Sequence, residues 1–436
     1  MINTKTHELI EYTKTESSDM PSYVLSLGIN LFFFLLLFIP SMTRYWAMLL
    51  LGFDVLYLLM IKDNLKKNLY LNIGSIMIAW LLFTLFSFGS LAMTGSNFFD
   101  GAQFIFTLAL CYFNFVLLIS NDRWLKVALR MLLITSLFFL FGSVLQIFLP
   151  DLVLEINRLH LSDVLFEQSL EFYRNGSLNG FTYQTALNGF MLSILLGIIV
   201  GYIYKANTVK SKVFLWLSYL FVFYLLVLTR KRGFILFAVL TLAYIIFRIS
   251  ERKIMAIVAI LIMSFLLGIL LIRTEVGAEL IRRTLSQEDF TTGRSAMIQV
   301  MWNDFLKSPI LGSGTYTTID VVDYHHGHNI YFQVLRETGL LGFASLITAL
   351  VTGFIRTNMR LNRFRDDKFK KMILIISIYF QLLFIFWGAT GNPLYDTYPL
   401  FFYFVAIAMS ETLSDKNYNI YGLNQRENSN WEQKES

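Results

Sequence analysis

Long runs of Leu, Ile and Phe, broken by short polar connections, recur along almost the whole chain. Twelve runs stand out, at 23–40, 45–61, 70–93, 98–120, 124–149, 180–204, 213–228, 233–249, 254–272, 330–355, 370–390 and 394–412. A bilayer core of about 30 Å needs about 20 mostly apolar residues per helical span. The runs lack the apolar–polar alternation of strands, so length and period predict about twelve transmembrane helices. The expected fold class is all-α, a polytopic membrane protein. Two connections are long: 151–179, mostly acidic and suited to an amphipathic helix, and 273–327, the only sizeable hydrophilic region. With no tandem repeat, low-complexity segment or flexible linker, 1–436 reads as a single integral membrane domain that contains the 273–327 loop.

Composition agrees. The 436 residues are 56% hydrophobic, 16% aromatic and only 15% charged, too apolar for an ordinary soluble enzyme. The polar stretch Met1–Met20 carries both signs of charge and has none of the features of a cleavable signal peptide. The one cysteine, Cys111, lies inside an expected span, which leaves no disulfide framework and no cysteine-ligated zinc site. A net charge of +6 is spread over short loops and is explained by topology, so nucleic acid is not an expected partner.

Cytoplasmic loops carry the excess of Lys and Arg. With both termini cytoplasmic, the inner connections hold Lys62, Lys66 and Lys67; Arg123 and Lys126; Lys205, Lys210 and Lys212; Arg248, Arg252 and Lys253; and the run from Arg356 to Lys371. The short outer connections are nearly bare, with Arg44 in the first and no cation at 94–97 or 391–393. The 273–327 loop is then extracytoplasmic.

In this topology "LTRKRGFIL" at 228–236 puts Arg230, Lys231 and Arg232 on the side where cations are scarce. Either the run 213–249 is cut differently and the loop faces inward, or an anion is held at the outer surface, where paired arginine N–H donors grip phosphate well. Within the large loop, "TTGRSAMIQVMWNDFLKSPILGSG" reads as a capped amphipathic helix stopped by Pro309 and followed by a glycine-rich turn. Arg294 sits at its N-terminal end, where helix N–H groups also attract anions. Next, "DYHHGHNIYFQVLRETGLLGF" clusters His325, His326 and His328. The cluster has three readings: a wet interfacial loop, a metal site, or a general base that takes a proton from a hydroxyl. No outer carboxylate pair accompanies the histidines, so no metal is expected. On a continuous helix, Phe332, Leu335, Gly339 and Gly342 share the His328 direction within about 40°. Such a face lets a neighbouring helix approach its two glycines closely.

Taken together, these residues resemble a known family. "HNIYFQVLRETGLLG" resembles the histidine and G-x-x-G signature of the O-antigen ligase and O-antigen or capsule polymerase superfamily. "TRKRGFIL" is similar to its arginine element, and "GRSAMIQVMW" with "SPILGSG" to the stretch ahead of the histidine. "NGSLNGFTYQTALNGF" and "GNPLYDTYPLFFYF" are in keeping with weaker segments. The specific match covers about 230–345. The resemblance implies an inverting, metal-independent C-type glycosyltransferase that needs no cofactor and acts outside a bacterial plasma (inner) membrane. It further implies that His328 is the catalytic base and that Arg232 and Arg294 bind the donor diphosphate. Arg230 stands where the family has a small residue, so the primary ligand is either Arg230 or Arg232. Tyr316, Tyr324, Asn329 and Tyr331 are candidate substrate contacts, with Trp302 a further candidate for stacking on sugar rings.

The implied reaction is polymerisation of polyprenyl-diphosphate-linked oligosaccharide units into O-antigen or capsular polysaccharide. A ligase that moves the glycan to another acceptor shares the same motifs, and a transporter of lipid-linked oligosaccharide is the reading from another class. Transporters place ionisable groups near mid-membrane and show repeated halves; here the suspect residues gather at the outer surface. Expected partners are the lipid-linked donor and acceptor, membrane lipid and a chain-length regulator protein.

Overall fold

The computed structural model describes residues 20–21, 23–32, 35, 43–61, 74–92, 98–119, 124–273, 277, 294–316, 327–364 and 366–413. Among these residues every regular element is a helix. The first half of the chain forms α1 (Tyr23–Phe32), α2 (Thr43–Ile61), α3 (Ser75–Leu91), α4 (Phe98–Leu118), α5 (Trp124–Phe148), α6 (Pro150–His160), α7 (Asp163–Arg174) and α8 (Thr185–Lys205). The second half forms α9 (Val209–Leu228), α10 (Arg232–Ile249), α11 (Lys253–Arg273), α12 (Arg294–Lys307), α13 (Ile330–Arg363), α14 (Lys368–Gly388) and α15 (Thr397–Thr412). Each of the twelve expected runs contains a helix. Seven of these (α4, α5, α8, α9, α10, α13 and α14) are long and apolar enough to cross a membrane, while α1, α2, α3 and α11 are apolar over shorter lengths.

The bundle is built around α8, α14 and α15, which are buried on nearly every side. Their sequences are apolar all round, as a central helix requires. Around them, α9, α10 and α11 turn Leu217, Leu220, Leu236, Leu261 and Phe265 outward. So much exposed apolar surface suits lipid and not water. Polar side chains inside the bundle are used as ties: Gln381 Nε2 donates to Thr357 Oγ1 at 2.8 Å and Thr357 Oγ1 donates to Ser410 Oγ at 2.9 Å, joining α13, α14 and α15.

The basic residues gather at one end. There Glu411 of α15 pairs with Arg356 at 3.0 Å and with Arg360 of α13, Lys371 of α14 donates to Tyr204 of α8 at 2.8 Å, and Arg248 of α10 donates to Asn362 of α13 at 2.7 Å. The opposite end is formed by the N-termini of α8, α10, α13 and α15 and the C-termini of α9 and α14.

Two expectations need correction. The acidic connection 151–179 is a helical hairpin, α6 and α7, because the Leu161–Ser162 pair is extended (Leu161 ψ 150°, Ser162 ψ 159°) and breaks a single helix. The helix after His328 is not continuous: α13 is interrupted at Gly339 (φ 63°, ψ −163°). At that break the turn 309–314 docks against the helix backbone. Ser313 N donates to Arg336 O at 2.9 Å, Gly314 N to Glu337 O at 3.1 Å, and Leu340 N to Pro309 O at 2.9 Å. The backbones approach so closely that a Cβ on Gly312 would lie 2.2 Å from Glu337 O, and one on Gly339 would lie 2.3 Å from Ile310 O. Both residues also have positive φ, at 78° and 63°, which glycine adopts without the cost of a side chain. Gly339 therefore serves a loop rather than a neighbouring helix, and a Cβ on Gly342 would meet Thr338 of its own helix.

We expect Gly339→Ala to destabilise the protein by about 2 kcal/mol or more, from combined overpacking and backbone strain. Hydrogen exchange would show Ser313, Gly314 and Leu340 losing amide protection together; retained protection would mean that this junction does not hold the loop.

Candidate functional site

The turn between α9 and α10 is tight. Thr229 ends α9, with its Oγ1 donating to Leu226 O at 2.7 Å, and Arg230 N donates to Val227 O at 3.0 Å. Arg230 then takes the left-handed conformation (φ 58°), which lets Lys231 serve as N-cap and Arg232 as first residue of α10. Glycine or asparagine is the usual occupant of such a position, and another residue held there costs roughly 1–3 kcal/mol. His328 is left-handed as well, with φ 51°.

His328 is held from both sides. Gly327 N donates to Gln333 Oε1 at 3.0 Å, and Asn329 caps α13 by accepting from Tyr331 N at 3.0 Å and Phe332 N at 3.2 Å. Gln333 also donates to Glu337 at 2.9 Å, and Glu337 accepts from the Tyr395 hydroxyl at 2.7 Å. One turn of α13 thus fixes the backbone beside the histidine and the chain just before Asp396. Arg336, only 4% exposed, pairs with Asp304 at 3.1 Å and ties α12 to α13.

These elements enclose a cavity of about 720 Å³ at the end of the bundle formed by the N-termini of α8, α10, α13 and α15, within the roughly 300–1,000 Å³ usual for small-molecule sites. Its lining includes Arg230, Lys231, Arg232, Arg294 and His328. Segments nearly a hundred residues apart thus meet in one place. The charges act on one another. Burial and the Arg294 charge lower the proton affinity of Lys231. Burial and Arg232 do the same to Arg294. Burial, then Arg294 and Lys231, push the His328 pKa below its ordinary value of 6.5. The imidazole is therefore neutral at pH 7, with a nitrogen able to accept a proton.

The other nominated residues lie elsewhere. Tyr316, with φ 65°, packs against Phe104 and Tyr395 at ring separations of 6.4 and 6.0 Å. Tyr331 donates its hydroxyl to Ile385 O at 2.8 Å, and the Asn329 amide donates to Ala389 O at 3.1 Å. None of the three lines the cavity. Trp302 packs on Phe305 and Phe332. Tyr324, His325, His326 and the expected cap of α12 at 291–293 lie outside the described residues. Cys111 is buried as a free thiol. Among the described residues no group of three or more His, Cys, Asp or Glu side chains is placed to hold a metal ion.

Sequence reading had not singled out several other lining residues: Gln184, Trp387, Asn392, Asp396 and Tyr398. A usable signal was present in "GNPLYDTYPL", where an amide and a carboxylate stand in a short connection that carries no cation.

Residues 217–347, under a third of the chain, match the family model described as O-antigen ligase. That segment is similar to the O-antigen polymerase and ligase superfamily and supports the resemblance carried by the motifs. A search of curated proteins finds no match. The matched segment includes all five cationic and histidine residues of the cavity, together with Gly312 and Gly339, and it excludes Gln184, Trp387, Asn392 and Asp396. The likeness supports a glycosyltransferase-like enzyme of polysaccharide biosynthesis and does not distinguish polymerase from ligase.

His328 should titrate below pH 6.5, and Arg294→Gln should bring its midpoint up toward that value by removing a repelling charge. An NMR pH titration of the imidazole in lipid nanodiscs measures both. A midpoint indifferent to Arg294→Gln would remove that arginine from the surroundings of His328.

Proposed function

We propose that the protein is a polymerase that joins polyprenyl-diphosphate-linked oligosaccharide units at the outer face of a bacterial plasma membrane. The growing chain leaves its diphosphate carrier and is transferred to a hydroxyl of the next unit. The observation that carries this reading is the single cavity lined by Arg230, Arg232, Arg294 and His328. It lies at the end of the bundle remote from Arg248, Arg356, Arg360 and Lys371, the end that the positive-inside rule assigns to the extracytoplasmic side. With that orientation goes the reading of 1–436 as one membrane domain with both termini cytoplasmic.

In this reaction the bond between the anomeric carbon and the diphosphate oxygen breaks, and its electron pair stays on the diphosphate. Arg232 and Arg294 grip that group and offset the charge it gains, with Arg230 beside them. Guanidinium groups suit the task because they stay protonated at any physiological pH and bind phosphate oxygens through paired N–H donors. In a partly buried site such preorganised charge is worth far more than in water. His328 accepts the proton of the acceptor hydroxyl as the new glycosidic bond forms, a contribution of about 10²- to 10⁴-fold. Attack opposite the departing diphosphate inverts the anomeric centre. The arginines supply the charge compensation that other sugar transferases take from a divalent ion, so the reaction is metal-independent.

The family description favours a second reading, a ligase that moves the finished glycan to a different acceptor. Purified protein incubated with a lipid-linked repeat unit separates the two. A ladder of products means polymerase, and a single shifted band that requires an added acceptor means ligase.

In the same assay His328→Ala should abolish elongation by at least 10²-fold while donor binding survives. Arg232→Ala and Arg294→Ala should weaken donor binding, with lysine failing to restore it. EDTA should leave the rate unchanged. Normal product length from His328→Ala, or a strict need for a divalent ion, would refute the mechanism.

A further inference from the structure

The cavity has a second kind of lining, outside the segment that matches the family model. It is contributed by the connection from α14 to α15 and by the start of α8, and it carries Gln184, Trp387, Asn392, Asp396 and Tyr398. Two of these side chains are left in a state that calls for a hydrogen-bonding ligand.

Asp396 is the N-cap residue of α15 and makes no side-chain capping bond. Elsewhere in the protein Asp367 and Asn329, at the same position of α14 and α13, each accept two backbone N–H bonds. The sequence Asp396-Thr397-Tyr398-Pro399 removes one of the two usual donors, and the other, Tyr398 N–H, is not used by the Asp396 side chain. A capping oxygen takes its proton from the second or third helical residue, and the third here is a proline, which has no N–H. Asp396 also forms no ion pair among the described residues. Its half-buried side chain is part of the cavity lining instead. Asn392, one turn earlier, is 8% exposed, and its Oδ1 has no hydrogen-bond partner. A buried polar oxygen left in that condition is costly and awaits a donor.

An aromatic plane is fixed beside them. A Cβ on Gly391 would lie 2.2 Å from Trp387 Nε1, so only glycine lets the indole lie against this backbone. Trp387 is braced from behind by Phe234 and Phe190, at 4.8 and 5.4 Å between ring centroids. The Tyr398 and Tyr183 hydroxyls meet at 3.2 Å, and Gln184 Nε2 donates to Tyr183 at 2.9 Å.

We propose that this lining is a sugar subsite in which Asp396 and Asn392 accept hydrogen bonds from hydroxyls of the sugar attached to the donor diphosphate, while Trp387 packs on its ring. A carboxylate and an amide oxygen are acceptors suited to neutral, hydroxyl-rich ligands, and a rigid aromatic face suits the C–H face of a pyranose. Burial raises the Asp396 pKa to about 7, so at neutral pH the carboxyl is partly ionised, and in that form it opposes diphosphate binding; its presence among cations is explained by the sugar and not by the anion. Asp396 is accordingly a specificity-determining residue. The inference rests on the diphosphate reading given above and assigns the group next to the diphosphate.

The test uses the full chain in nanodiscs and two probes, polyprenyl diphosphate and the same lipid bearing one hexose. Asp396→Asn should weaken binding of the hexose-bearing lipid about tenfold or more through loss of charge-assisted hydrogen bonds. The same variant should bind the bare diphosphate as tightly as the wild type or more tightly, because a negative charge has been removed. These opposite responses distinguish sugar recognition from a general structural role. Equal weakening of both probes, or no change in either, would overturn the proposal. A wild-type protein that binds the bare diphosphate but gains nothing from the hexose would overturn the subsite alone, and one that binds neither probe would overturn the diphosphate reading with it.

Discussion

Repulsion among like charges in a half-buried cavity is the constraint on which the rest of this structure depends. Arg232 acts on Arg294, Arg294 on Lys231, and both Arg294 and Lys231 on His328. Such a cluster costs free energy in the folded protein, since each charge is partly desolvated and close to its neighbours. A bound dianion would relieve that cost, as the proposed diphosphate site requires. The same field sets the chemistry of the imidazole. Before substrate arrives, the cations keep His328 neutral. On the proposed mechanism, a diphosphate that partly cancels them would raise the imidazole's affinity for a proton at the stage when it has to accept one.

Holding this cluster together is the task of the surrounding backbone. Left-handed conformations at Arg230 and His328 aim two of its members. Gln333 and Asn329 lock the residues on either side of the histidine. The Arg336–Asp304 pair and the Gly312–Gly339 junction fasten α12 and the loop after it to α13, so that Arg294 comes to the same cavity. Strain at the site is thus balanced by hydrogen bonds and close packing a few ångströms away, as expected where a fold has to sustain local conformations that are unfavourable by themselves.

Much of this could be read from the residues. Runs of apolar side chains located the helices, and the asymmetry of Lys and Arg separated one end of the bundle from the other. The breach of that asymmetry at Arg230–Arg232 pointed to the cavity. Helix α12 was legible from its apolar spacing and from Pro309. What stayed hidden depended on tertiary approach. A period of 3.6 residues cannot report that a loop backbone will occupy the space beside Gly339, so a helix-packing face was expected where the helix is in fact broken. Asn329 and Tyr331 stand next to the histidine in sequence, yet their side chains are taken up by a helix cap and a backbone carbonyl. Asp396 stood out by no motif of its own; that it makes no capping bond and lines the cavity is decided by tertiary structure.

The central claim is that a diphosphate and the imidazole share one electrostatic field, and titrating His328 by NMR with and without saturating polyprenyl diphosphate tests it most directly. The account predicts a midpoint below the ordinary histidine value in the free protein and a clear upward shift when the lipid is bound. The same midpoint in both states would contradict it.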